Sequence, residues 1–125
     1  MSDPVTPGRF QFQFAEEVCL IAPLPMPDDR AELLRRIVSL SVPKGTVVAA
    51  FTDRDLAERF IARMPGPSAY QPLVFTVPAD LALFLGELHL TVGENAIAFD
   101  PEPGQPLRHT FFIPKVVDDL VSSHR

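Results

Sequence analysis

The sequence predicts an α/β or α+β fold, a single compact domain with a mixed sheet covered by three to four helices. Three observations predict it. Val47 to Phe51 is an unbroken apolar run, which then switches to helical spacing through Met64. Strand-like and helix-like segments alternate from Val47 to Phe99. Most of the 14 prolines fall between those segments, so the boundaries support one another.

Residues Met1 to Arg9 read as a loose tail, residues 10–122 as the domain, and residues 123–125 as a short C-terminal tail. Phe10, Phe12 and Phe14 alternate with Gln11 and Gln13, strand periodicity that puts three rings on one face. Such a face needs a cover: the domain's own helices, a partner protein or a second copy. Val18 to Ala22 reads as a second strand or a continuation of the first. Pro23, Pro25 and Pro27 impose an extended passage, a spacer more readily than a recognition motif. A helix is expected from Asp28 or Asp29 to about Leu40, stopped by Pro43, Lys44 and Gly45.

The central unit is VVAAFTDRDLAERFIARM, Val47 to Met64. Its strand is expected to be buried on both faces. Thr52 with Asp55 makes a capping-box-like pair, Leu56, Phe60 and Met64 form an apolar stripe beside Ala57 and Ile61, and Arg54, Arg59 and Arg63 read as a solvated face. Leu73 to Val77 is a third apolar strand. Leu81, Phe84, Leu85 and Leu88 are the core stripe of a helix that Pro78 opens. Leu90 to Val92 and Ala96 to Phe99 read as strands joined by a hairpin turn at Gly93, Glu94 and Asn95. Thr110 to Ile113 is a last strand, and Pro114 to Ser122 a last helix.

Composition narrows the function classes. The chain has 125 residues, one domain's worth, and no apolar run approaches the about 20 residues of a membrane span. A formal net charge of -5 argues against a nucleic-acid partner held through many phosphates. The N-terminus lacks the apolar region of a secretory signal, and the single Cys19 forms no internal disulfide, so a cytoplasmic protein is expected. Cys19 itself, within VCLIA, reads as a buried and inert thiol.

No catalytic, metal or cofactor signature stands out. His89, His109 and His124 have no metal-ligand spacing, and the acidic pairs Asp28-Asp29, Asp53-Asp55 and Asp118-Asp119 are explained by helix ends and solubility. The six glycines form no phosphate-cradling loop, and no serine has a nucleophile-elbow context. An acidic, proline-stiffened loop from Phe99 to Gly104 is the distinctive exposed feature, with Asp100 and Glu102 positioned to meet a partner or simply to make a turn.

The segment VVAAFTDRDLAERF, the following apolar strand, the helix ADLALFLGEL and then VGENAIAFDP resemble the SseB-like N-terminal domain family, across about Thr46 to Pro101. Asp100 stands where that family commonly has Asn before the proline. The resemblance implies a compact α/β domain and carries no catalytic residues across. The expected function is a non-catalytic protein-interaction or regulatory module that binds a partner protein or self-associates as a homodimer, with Phe10, Phe12, Phe14, Asp100 and Glu102 as candidate partner-binding residues. Two alternatives stand beside it: a chaperone of the type III secretion kind that holds a partner protein, and a small enzyme or ligand-binding protein with a cleft near His89, His109 and Asp100.

Overall fold

The computed structural model describes residues 16–107 and 109–123. Its elements are β1 (Glu17–Pro23), α1 (Arg30–Arg36), β2 (Ser39–Val42), β3 (Gly45–Phe51), α2 (Arg54–Ala62), β4 (Tyr70–Thr76), α3 (Ala79–Glu87), β5 (Ala96–Phe99), β6 (His109–Phe112) and α4 (Ile113–Ser123). They form one mixed sheet in the order β4-β1-β3-β5-β6, with β2 also paired to β3. The architecture is a single compact α+β domain. Phe10, Phe12, Phe14 and His124 lie outside the described residues.

At the centre runs β3. It pairs in parallel with β5 on one side, and on the other with β1 along its end and β2 along its start, both antiparallel. The N–H of Val38 donates to the carbonyl of Ile21 at 3.0 Å, so β2 continues the row that β1 leaves. This arrangement corrects the expectation of a helix reaching Leu40. Asp29 caps α1 as expected, its carboxylate accepting from the N–H of Glu32, but the helix ends at Arg36 and Ile37 is already extended. Ser39 to Val42 alternates polar and apolar residues, and without it the first half of β3 would leave buried backbone groups unpaired. Tertiary pairing overrides the local helical pattern there.

Alternation along the strands divides the core in two. Val18, Leu20, Val48, Ala50, Ile97 and Phe99 meet α1, α3 and α4 on one face. Cys19, Ile21, Ala49 and Phe51 meet Ala57 and Ile61 of α2 on the other. Rings link the layers: Phe75 and Phe84 lie 4.6 Å apart between centroids, Phe51 and Phe60 5.3 Å. Arg30 pairs with Glu87 and stands 5.4 Å over the Phe84 ring, joining α1 to α3 at the surface.

A second correction follows α3. Leu88 to Val92 is a π-helical extension, not a strand. Gly93, with φ of 90°, ends it, its N–H donating to the carbonyls of Leu88 and His89. Residues 93–95 are therefore a helix stop. Burial of Leu88 against the core holds the chain in helical form one turn longer than the β-rich composition of residues 90–92 predicts.

The expected stripe on α3 is buried in full: Leu81, Phe84, Leu85 and Leu88 are 2% exposed or less, while Leu83 is 69% exposed. Replacing Leu81 by Ala is expected to lower the unfolding free energy by about 2 to 5 kcal/mol in urea titration. The same change at Leu83 should stay within about 0.5 kcal/mol. Equal losses at the two positions would contradict the placement of α3.

Candidate functional groove

Because β3 and β5 are parallel neighbours, their C-terminal ends open at the same edge of the sheet, where α/β proteins commonly build ligand crevices. From β3 the chain passes through Thr52 and Asp53 into α2. From β5 it enters the loop of residues 100–107. Between them lies an open groove of about 380 Å³, lined by Phe51, by Leu56, Arg59 and Phe60 of α2 with Arg63 at its C-cap, and by Asp100, Pro101, Glu102, Pro103 and Gln105 of the loop.

Asp100 is the clasp between the two strand ends. Its N–H donates to the carbonyl of Ala50 at 2.7 Å. One carboxylate oxygen accepts from the Thr52 N–H at 2.9 Å and the other from the Thr52 hydroxyl at 2.8 Å. Its φ of 53° is in the left-handed region, which Asp and Asn tolerate better than other side-chain-bearing residues. Thr52 is consequently not the cap of α2. Asp53 takes that position and accepts from the N–H of Asp55 at 3.0 Å, which corrects the expected Thr52-Asp55 pair. Asp is as good a cap as Thr or better, and Thr52 is held by Asp100.

The rest of the loop is stiff. Pro101 is buried, and the N–H of Gln105 donates to the carbonyl of Glu102. Pro103 occupies the second place of that turn, and Gly104, with φ of 78°, the third, the residue pattern of a type II turn. Glu102 is thereby presented on a proline-framed corner, exposed and, among the described residues, without an ion pair.

On the opposite wall, α2 buries a narrower stripe than expected. Ala57 and Ile61 face the sheet, Phe60 and Met64 are half-buried, and Leu56 is 37% exposed beside the groove. Leu56 is turned about 100° from Ala57 around the helix axis, so it lies toward the flank while Ala57 faces the sheet. Arg59 pairs with Asp55 at 2.9 Å, an exposed pair of little strength, and Arg63 makes no ion pair among the described residues. The groove thus has an aromatic and proline floor, guanidinium groups on one wall and a carboxylate on the other.

Of the expected cleft residues, Asp100 and His109 come together. Both line a smaller recess of about 250 Å³ with Phe99, Glu102 and Pro106. His89 does not join them: its Nδ1–H donates to the carbonyl of Glu94 at 2.8 Å, before the start of β5, whereas Asp100 follows its end. Among the described residues no group of three or more His, Cys, Asp or Glu side chains is placed to hold a metal ion. Nor is any helix among them long and apolar enough to cross a membrane. The arginines are solvent-exposed as expected, and Arg59 and Arg63 also line the groove, which the sequence reading did not anticipate. The available signal was their separation by one helical turn beside an apolar residue.

Cys19 is buried behind this edge. Burial pushes its thiol up from the ordinary value; the nearby Arg54 opposes that shift, and Glu17, Asp53 and Glu58 add to it. No family model matches the chain, and a search of curated proteins finds no match.

Two measurements check this geometry. Asp100→Ala is expected to cost roughly 1 to 3 kcal/mol in chemical denaturation, because the amide of Thr52 loses its acceptor and Ala is strained at this φ. Asp100→Asn should keep most of that stability, since Asn accepts from the same amide and tolerates the backbone. For Cys19, iodoacetamide labelling should be slow in the folded protein and fast in urea. Its raised folded value also means that the thiol's contribution to stability is complete below the unfolded value and is lost as pH rises through the folded one. Cys19→Ser should therefore flatten the alkaline fall in stability, and fast native labelling would contradict the burial.

Proposed function

We propose that this chain is a non-catalytic protein-interaction module, and that the partner is held in the groove between α2 and the loop of residues 100–107. One observation carries the reading: exposed Leu56, half-buried Phe60 and the prolines of the loop form an apolar floor between walls on which Arg63 and Glu102 make no ion pair among the described residues. Specific interfaces join an apolar centre to a charged rim in this way. The stiff loop supports it further, because a surface already ordered loses little freedom on binding.

The proposal is of a cytoplasmic protein, in keeping with its single buried cysteine and acidic balance. Resemblance to the SseB-like N-terminal domain family adds a compact domain without a transferred catalytic set. A second copy remains within the proposal as a partner, and Phe10, Phe12 and Phe14 as a further contact surface.

The test is quantitative capture from lysate with the tagged full chain as bait, paired with light scattering on the purified protein. Wild type should recover a partner in stoichiometric amount, or self-associate. Leu56→Asp and Arg63→Glu should each reduce that association by about tenfold or more, the loss expected when an interface anchor or charge is reversed. Reversal of Arg36, on α1, should leave it unchanged. If the groove variants associate as wild type does, the groove is not the interface.

A further inference from the structure

We infer that the groove selects an extended peptide segment in which an apolar side chain is flanked by an acidic residue on one side and a basic residue on the other. This rests on the reading of the groove as the partner site and specifies the chemistry of its occupant.

The α2 wall carries Arg59 and Arg63 and the loop wall carries Asp100 and Glu102, so the two walls are opposite in sign. The four do not contribute equally. Asp100 spends both carboxylate oxygens on Thr52, and Arg59 is drawn toward Asp55. Arg63 and Glu102 are the charges left without an internal partner among the described residues. A guanidinium accepts a carboxylate through two parallel hydrogen bonds, so an acid of the incoming segment belongs at the α2 wall. A lysine or arginine belongs opposite, at Glu102. Between them the floor of Phe51, Leu56, Phe60, Pro101 and Pro103 offers an apolar seat.

Size and shape favour a peptide over a wholly enclosed small ligand. About 380 Å³ lies at the low end of small-molecule sites, and this space is a groove open to solvent along the sheet edge. It accommodates one large side chain, with the flanking residues left at the rim. Rim charges in such a setting set orientation and partner choice more than raw affinity, and like charges placed against them are rejected. A segment with the same charge on both flanks would set a like charge against either Arg63 or Glu102. The groove therefore selects opposite charges on the two sides of the apolar residue.

The experiment is selection of a phage-displayed library of random linear peptides on the full chain, followed by titration of one enriched synthetic peptide against the isotope-labelled protein. The enriched sequences should share an acidic residue, an apolar or aromatic residue and a basic residue, with amide shifts centred on Leu56, Phe60 and Glu102. Selection on Arg63→Glu should replace the acidic position by Lys or Arg, and selection on Glu102→Arg should replace the basic one. Both substituted positions are exposed, so circular dichroism should report an unchanged fold. Enriched peptides that shift Leu56 and Phe60 but show no charge preference, or an unaltered preference on both variants, overturn the inference while leaving the groove as a binding site. Peptides that shift residues elsewhere, or a selection with no enrichment, overturn the groove reading itself.

Discussion

The structure depends on one constraint: β3 is buried on both faces and must pair every backbone group along both edges. Residues Val47 to Phe51 are at most 4% exposed, so water cannot satisfy them. One strand on each side would be enough if β1 and β3, both seven residues long, were not offset along their lengths. Here β1 reaches only the last part of β3, and a second strand is drawn in beside the first part. That demand draws residues 39–42 into β2, although the expected helix extends to about Leu40. The same constraint sets the helix approach, since Ala49 and Ala50 point to opposite faces and let helices pack close on either side.

Parallel pairing of β3 with β5 then decides where a site can form. Two strands ending at the same edge leave their last N–H and carbonyl groups, and the chain must turn away in two directions. Asp100 closes that end from both sides, through its own N–H to Ala50 and its carboxylate to Thr52. A left-handed residue at this place reverses the chain directly after β5 and swings the proline loop across toward α2. The groove is thus a by-product of a satisfied strand end. Its acidic wall is fixed by the clasp, and its basic wall by the helix that leaves the neighbouring strand.

Legibility in the sequence followed the range of the interaction. Elements whose signal is local were readable: the core stripe of α3, the apolar run of β3, the Asp29 cap and the breaks at Pro43 to Gly45 and Pro65 to Pro67. Those set by distant partners were not. Leu40 could be assigned to a strand only by knowing that β3 was short of a neighbour, and Leu90 to Val92 to a helix only by knowing that Leu88 had a buried seat. At the site, Asp100 and Glu102 were visible as an acidic loop, but the exchange of Thr52 from helix cap to clasp needs a contact 48 residues away in the chain. The aromatic alternation of Phe10, Phe12 and Phe14 is clear in the sequence and falls outside the described residues.

The arginines of α2 show why periodicity alone left the groove half read. A helix face that alternates charge normally belongs to solvent, and an exposed leucine within it is an ordinary observation. Neither feature identifies a binding surface. What changes the reading is the geometry of burial: because Ala57 and Ile61 form so narrow a contact, Leu56 and Phe60 stand at the flank of the helix and not beneath it. The flank would be open surface if the chain after β5 ran straight on. Asp100 turns it back, Pro101 anchors the return in the interior, and Pro103 with Gly104 sets Glu102 opposite the guanidinium groups. An apolar groove between oppositely charged walls therefore arises from three separate parts of the chain.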